Sequence, residues 1–468
     1  LSPGDLKTDR KQPQCVGIKV AAVSLGCSKN RVDTEEILGL LSSRGCVLTD
    51  DYRLADIIIV NTCSFIENAQ QESIDTLLEM AAENPGNKPK IVAAGCLVEL
   101  FGSGIIKSMA EVDGAIGVHS YKHLNRLINM VLKDKRTVIK KSPTENYCSL
   151  APRVLTTPAH SAVVKIGEGC SNNCRYCLIP RIRGPYRSRE PEEIVAEIDG
   201  LLQKGAREIS LIAQDTTAYG SDFDDFYDLA GLIRKILALQ HKFWLRIMYT
   251  YPSRITDDLI DLIATEERIC KYLDIPIQHS SDRVLQLMGR KYDNSYLNKL
   301  FNKLRKRIPQ LTLRTTCMVG YPGESRREFN NLLQFIQLHR FERLGTFTYS
   351  AQKGTDACGS HLKPIPRRVA RKRHRELMVK QQHIAEELNK KLIGRKMTII
   401  IDKVLKPGNR WYFGRSEYHA PDVDGGIYVF SKNTLAAGQW ITVMIRAASP
   451  YNLLAVPAQP DTAKNNVL

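Results

Sequence analysis

A chain of 468 residues exceeds one ordinary hydrophobic core, so two to four domains are expected. Its apolar fraction of 43% suits globular folding, and no run of about 18 apolar residues is present to form a transmembrane helix. A net charge of +17 favours an anionic partner such as RNA or the ribosome, although basic proteins that bind no nucleic acid are common.

The opening stretch LSPGDLKTDRKQPQC is polar and lacks the apolar centre of a signal peptide. It begins at Leu1 rather than Met, which leaves the position of the native start open. Twelve cysteines without an export signal point to a reducing, cytoplasmic location, where thiols serve metals, serve catalysis or simply pack.

Residues 16–135 read as a first domain. Three strand-like runs, IKVAAVSLGC, ADIIIVNTC and KIVAAGC, end in Cys27, Cys63 and Cys96. A helical pattern follows Cys27, with Ile37, Leu38, Leu40 and Leu41 on one side and Gly45 as a stop; another covers 67–82. Strand–turn–helix repeats predict a parallel sheet whose strands end along one edge, where ligands sit. A lone buried cysteine is ordinarily a small core residue. Three in the same structural slot suggest a metal site. Asn30 and Asn61 flank it, either as donors to sulfur or as turn formers. From 133 to 160 periodicity is lost, and 136–154 reads as a linker; Cys148 there belongs to no motif.

Residues 155–390 carry six strand-like runs, at 162–167, 208–213, 243–249, 272–277, 311–320 and 344–350, with helical patterns between them. Six βα units predict a partial (β/α)6 TIM-like barrel with function on the loops after the strands. The loop after the first run, GEGCSNNCRYCLIPRIRG, places Cys170, Cys174 and Cys177 at CxxxCxxC spacing. Three neighbouring thiolates can hold three corners of a cubic iron–sulfur cluster and leave the fourth iron open to a small molecule. A zinc loop favours a CxxC pair with two further ligands, and the next cysteine, Cys270, lies too far along. Gln214 and Asp215, Gln278, and Gly320, Gly323 and Glu324 occupy later loops at the same end. They suit a nucleoside cofactor: glycines for close backbone approach, and polar groups for ribose hydroxyls. Each also has a plain structural role open to it, a tight turn for the glycines and a helix amino-terminal carboxylate for Glu324. Cys270 and Cys317 read as core. Arg181, Arg183, Arg187 and Arg189 form either a solvated run or an anion site. A basic helical stretch follows from about 366.

Residues 391–458 alternate short strand-like runs with turns and predict a small antiparallel OB-like barrel. Trp411, Tyr412 and Tyr418 could stack on bases or fill that barrel.

CxxxCxxC with Tyr176 before its third cysteine resembles the radical SAM signature. SLGCSKNRVDTE, VNTCSFIENAQQESID and AAGC resemble the amino-terminal domain of the methylthiotransferases within that superfamily, and GRSEYHAPDVDGGIYV resembles a TRAM domain. The resemblance covers nearly the whole chain. It implies that Cys170, Cys174 and Cys177 hold a catalytic 4Fe–4S cluster whose open iron chelates S-adenosylmethionine. It implies an auxiliary 4Fe–4S cluster on Cys27, Cys63 and Cys96. Tyr176 and Arg183 would join the loop residues as cofactor contacts, with two S-adenosylmethionine molecules used per turnover and electrons from a flavodoxin or ferredoxin. One molecule would methylate sulfur at the auxiliary cluster. The second would yield an adenosyl radical that removes hydrogen from substrate carbon.

LIAQDTTAYG, PIQHSS and APDVDG resemble the branch that modifies the β-carbon of an aspartate in the twelfth protein of the small ribosomal subunit. The branch acting on a transfer RNA adenosine more often carries Gln-Asn where Gln214 and Asp215 stand. The positive charge keeps that RNA reading open, or points to docking within the ribosome with RNA contacts through the TRAM domain and the basic helix. A non-catalytic iron–sulfur protein would instead fill all its coordination positions.

Overall fold

The computed structural model describes residues 15–82, 88–142, 153–225, 227–405 and 410–458. Its amino-terminal sheet contains β1 (Lys19–Ser24), β2 (Val47–Leu48), β3 (Ile57–Thr62), β4 (Lys90–Gly95), β5 (Gly114–Ile116) and β6 (Thr137–Ile139) in the order β2-β1-β3-β4-β5-β6. Every pairing is parallel. All of β3 is buried, as its unbroken IIIV run requires of a central parallel strand covered on both faces. α1 (Ser28–Ser42) follows β1, and α2 (Glu67–Ala82) follows β3. β6 falls inside the stretch read as a linker. Three residues are too short a strand to show periodicity, and Cys148 lies outside the described residues.

The central lobe is an open, wholly parallel six-stranded sheet. Its strands β7 (Ser161–Lys165), β10 (Glu208–Ile212), β11 (Trp244–Ile247), β12 (Ile269–Asp274), β13 (Thr312–Val319) and β14 (Arg343–Thr348) lie side by side in chain order. A short ribbon of β8 (Gly167–Glu168) and β9 (Arg187–Ser188) closes the neck of the cysteine loop. Helices 191–203, 229–237, 257–265, 294–307 and 326–339 return the chain between strands. Their starts obey capping chemistry: Asp228, Thr256, Asp293 and Ser325 each accept a backbone N–H, and Ser325 with Glu328 forms a capping box. The sixth return is the helix Arg367–Lys390, whose inward residues Ala370, Arg373, Leu377, Gln381 and Ile384 recur every three or four positions.

The carboxy-terminal lobe is a closed barrel of β15 (Lys396–Val404), β16 (Trp411–Arg415), β17 (Ile427–Phe430), β19 (Leu453–Pro457) and β18 (Trp440–Ala448). The sequence reading lacked β19, whose pairing with β17 is the parallel contact that closes the barrel. Tyr412 fills the barrel core and Tyr418 packs against it, so the buried role holds for both. Trp411 packs on Phe430 at the surface, ring centroids 5.3 Å apart. Cys270 and Cys317 are core residues. Among the described residues no helix is long and apolar enough to cross a membrane.

Candidate active site

Three adjacent parallel strands deliver the first cysteine trio. Cys27 caps α1 after β1, Cys63 follows β3, and Cys96 opens the helix α3 (Cys96–Phe101) after β4. Glycine precedes two of them for steric reasons. Gly26 has φ +88°, and a Cβ there would lie 2.7 Å from the Cys63 Cβ and 2.9 Å from its sulfur. Gly95 has φ +95°, and its Cβ would meet Asn61 Oδ1 at 2.2 Å. Asn30 donates from Nδ2 to the carbonyls of Leu25 (3.0 Å) and Thr62 (2.9 Å). Asn61 donates to the Asn30 carbonyl at 2.7 Å and to Thr34 Oγ1 at 2.9 Å. The two asparagines therefore knit the strand ends together. Asn30 Oδ1 additionally faces the Cys96 thiol at 3.6 Å.

The second trio sits on the loop that the β8–β9 ribbon closes. Gly169, at φ +82°, passes so near the returning chain that a Cβ would lie 2.0 Å from the Pro185 carbonyl. Cys170 N–H donates to Gly184 O at 3.0 Å. Ile179 N–H donates to the Cys177 sulfur at 3.4 Å, and Arg290 Nη1 to the Cys174 sulfur at 3.3 Å. Burial pushes the thiols of Cys96 and Cys177 up to about 12, and the neighbouring thiolates of each trio push the same way. Such trios ionise together only around cationic charge, so the donor chemistry fits an iron–sulfur cluster. Among the described residues no group of three or more His, Cys, Asp or Glu could hold a single metal ion. A four-iron cube spreads its thiolates more widely than one ion does.

The trios meet at one junction. Cys96 packs against Leu178 and Ile182, on the turn that leaves Cys177. Arg183 ends that turn and is fully buried. Its Nη2 reaches Asn30 Oδ1 (2.6 Å) and the Cys96 sulfur (3.3 Å), and its Nη1 reaches Asp33 (2.8 Å) and Glu168 (3.0 Å). Lys165, at the end of β7, pairs with the same two carboxylates at 2.5 and 2.8 Å. Gln214 donates to Glu168 Oε1 at 2.5 Å. Two cations and two carboxylates thus form a closed, buried network between α1 and the cysteine loop. Arg183 was expected to contact S-adenosylmethionine. Its guanidinium is instead held by the opposite lobe and by a sulfur of the other trio.

Other expected cofactor contacts have structural partners too. Asp215 is buried and accepts from Asn172 (2.8 Å), Thr217 (2.7 Å) and Arg254. Glu324 accepts the N–H groups of Gly320 and Tyr321 and pairs with Arg373 on the long helix. Gly320 is glycine because a Cβ would meet Ala370 Cβ, on that helix, at 2.5 Å. Gly323, at φ +81°, donates to the Lys363 carbonyl at 2.9 Å. The two glycines thus serve a tight turn; Glu324 bonds back to the start of that turn, while Ser325 and Glu328 cap the helix that follows. Gln278 differs: it is a non-glycine residue at φ +66°, half-buried, with its N–H and carbonyl both paired to β13 and, among the described residues, no hydrogen-bond partner for its side chain. Tyr176 is half-buried against the Tyr321–Met288 cluster. The sequence reading missed Asp33, Lys165, Glu168 and Arg290. Lys165 interrupts an otherwise apolar strand, AVVKI, and a lysine there requires a buried anion; that was the available signal.

A cavity of about 230 Å³ opens beside Cys27. All three lobes line it, through Gly26 and Arg31, through Ser210 and Tyr249, and through Pro421, Asp422 and Val423. Arg31 is paired with Asp422 at 2.5 Å across its rim.

Comparison with known proteins agrees with this geometry. Residues 164–336 match the radical SAM superfamily, 19–117 the uncharacterized protein family UPF0004, and 393–457 the TRAM domain. Among solved structures, a cobalamin-bound radical S-adenosylmethionine methyltransferase, TsrM, from Kitasatospora setae shares the fold, with TM-score 0.54 and 13% identity over 73% of this chain and 77% of that one. These matches and the two cysteine trios define a radical SAM enzyme. A ribosomal protein uS12 methylthiotransferase, RimO, from Trichlorobacter lovleyi is 42% identical over 93% of this chain and 97% of its own. The same enzyme from Pelotomaculum thermopropionicum is 41% identical over 94% and 99%. The chain belongs to the radical SAM methylthiotransferases, within the family of these uS12-modifying enzymes.

Proposed function

We propose that this chain adds a methylthio group to the β-carbon of an aspartate in ribosomal protein uS12. The observation that carries the reading is the junction itself. Arg183, on the turn leaving Cys177, touches the sulfur of Cys96, so two cysteine trios share one buried wall. Cys170, Cys174 and Cys177 would hold a 4Fe–4S cluster that binds S-adenosylmethionine, and Cys27, Cys63 and Cys96 an auxiliary 4Fe–4S cluster. When bound, these cofactors supply radical removal of hydrogen from carbon and a source of methylthio sulfur, with two S-adenosylmethionine molecules used per turnover.

The protein's own part is position and electrostatics. The β8–β9 ribbon and Gly169 fix the shape of the radical loop. Gly26 and Gly95 let three strand ends crowd together. The Arg183–Lys165–Asp33–Glu168 network holds the two sites in register. Gln278 and Tyr176 remain the side chains best placed to meet S-adenosylmethionine. The cavity beside Cys27 would admit the substrate segment. Radical hydrogen removal asks no side chain for a matched acid–base pair, which accords with the structural roles of Asp215 and Glu324.

RNA contact is a second part of the proposal. Phe413 and Tyr428 pair on the barrel surface with ring centroids 5.3 Å apart, beside Trp411 and Phe430, and Lys403 lies over the Phe413 ring. Arg367, Arg368, Arg371 and Lys372 are exposed at the start of the long helix. Both features suit ribosomal RNA around uS12. A flavodoxin or ferredoxin would deliver the electrons.

The test is anaerobic incubation of the reconstituted enzyme with uS12 and, separately, with transfer RNA, followed by mass spectrometry. Methylthio-uS12 is expected. Methylthiolation of transfer RNA alone would overturn the assignment. Cys174→Ala should abolish deoxyadenosine release.

A further inference from the structure

Both trios have an arginine against a sulfur, but the two arginines differ in what balances them. Arg183 is neutralised by Asp33 and Glu168. Arg290 has no carboxylate partner among the described residues. Its Nε donates to the Tyr292 hydroxyl at 2.6 Å, its Nη2 to the Pro276 carbonyl, and its Cζ lies 4.6 Å from the Tyr251 ring centroid. All of these partners are neutral. Among the described residues that it touches, the Cys174 sulfur, at 3.3 Å, is the acceptor that a bound cluster would hold as an anion.

The backbone locks this contact in place. Gly289, at φ +72°, presses on the cysteine loop so closely that a Cβ would lie 2.5 Å from the Asn173 carbonyl. Arg175 N–H donates to the Met288 carbonyl at 3.0 Å. The turn that carries Arg290 is therefore fastened to the loop that carries Cys174. A half-buried guanidinium aimed by neutral groups at one sulfur calls for negative charge there.

We propose that Arg290 is the counter-charge of the cluster at Cys170, Cys174 and Cys177 and raises its reduction potential. This rests on the reading that those cysteines hold a cluster. Reduction adds one electron from an external donor and makes the cluster and its thiolates one charge more negative. A fixed positive charge and an N–H···S bond both favour that state. Arg290 thus acts through the cluster ligand, as a positioning residue.

The experiment uses the full chain carrying Cys27→Ala, Cys63→Ala and Cys96→Ala, so that one cluster gives the signal. It is reconstituted anaerobically and titrated with dithionite under electron paramagnetic resonance. Arg290→Gln is expected to lower the midpoint potential by at least about 59 mV, the one-electron equivalent of a tenfold change in the reduction equilibrium, at unchanged iron content. An unchanged potential overturns the proposal. If Arg290→Gln does not fold, Arg290→Met carries the same test, because it fills similar space with neither the charge nor the N–H donor. Its potential should lie below the parent's, and equality overturns the proposal. Failure of the parent itself to bind iron would instead defeat the cluster reading.

Discussion

Replacing Arg183 by Met should loosen the junction between the two cysteine trios, and the size of the effect follows from its partners. The substitution removes ion pairs to Asp33 and Glu168 and donors to Asn30 and Cys96, all in a site closed to water. Lys165 stays and still holds both carboxylates. Four charges become three, so one net negative charge is left buried. Breaking a buried pair on one side costs about 3–5 kcal/mol. At about 2 °C per kcal/mol for a lobe of this size, the melting temperature should fall by roughly 6–10 °C at neutral pH. The loss should also depend on pH. Burial alone would push Glu168 up, but Arg183 and Lys165 outweigh it and hold the carboxyl well below the usual range. Its contribution is therefore present above the unfolded carboxylate value of about 4.3 and is lost as pH falls through the lower folded value. Without Arg183 the carboxyl becomes easier to protonate, and a proton removes the uncompensated charge. The gap between parent and variant should narrow as pH falls from about 7.5 towards 5. Scanning calorimetry of both proteins across that range is the assay. A gap under about 2 °C at neutral pH, or one that does not change with pH, would refute the reasoning.

Gly26→Ala should abolish the auxiliary site while sparing the other: a non-glycine residue at φ +88° costs about 1–2 kcal/mol, and its Cβ would displace Cys63. Iron per reconstituted chain should drop by about half, and undiminished iron would count against the Cys27–Cys63–Cys96 site. Glu36 is buried, and that burial pushes its carboxyl up to about 7, only partly offset by Lys165. The folded state therefore holds a proton that the unfolded state releases near 4.3, and stability falls as pH rises across that window. Glu36→Gln should remove this slope and stabilise the chain by roughly 3 kcal/mol at pH 8, seen as a higher melting temperature there but not at pH 5. Phe413→Ala with Tyr428→Ala should weaken binding of small-subunit RNA by about 1–3 kcal/mol per stacked base in gel-shift titration, while modification of isolated uS12 proceeds as before.

The strands and the cysteines were legible in the sequence because local chemistry dictates them. IIIVNTC can only be a central strand running into a sharp end, and CxxxCxxC needs no distant partner to make sense. The cofactor contacts were less legible, because a residue's role depends on what packs opposite it. Glu324 follows a glycine turn and looks free in the sequence; Arg373, 49 positions later, arrives on a helix and claims it. Asp215 stands alone in the sequence, yet Arg254 comes round from the next strand's loop to pair with it. Arg183 matched the family motif, yet its carboxylate partners include Asp33, in a different lobe. Arg290 carried no signal at all, since nothing in GRKYD says that a cysteine loop lies against it. β19 escaped for a related reason: LLAVP is five residues long, and its place in the barrel is fixed only by β17 and β18.

A two-cluster mechanism needs two trios that keep their separation, and three lobes on flexible joints would not provide it. The structure answers this with a core that belongs to no single lobe. Val32 of α1, Val163 and Trp244 of the central sheet, and Ile400 and Ala420 of the barrel lobe are buried in one hydrophobic cluster, with Trp244 and Trp440 packed edge to face at 4.4 Å. Polar contacts brace the same seam: Glu208 holds Arg246 on one side and Arg415 of the barrel lobe on the other, both at 2.8 Å or less, and Tyr272 donates to Asp424 at 2.8 Å. Sliding one lobe would expose this apolar surface and unpair buried charges at once, each a penalty of several kcal/mol. The barrel lobe is thus part of the scaffold of the site. By plugging the open sheet it fixes the wall of the cavity beside Cys27, and through Val32 it fixes the helix that carries Asn30 and Asp33 to Arg183.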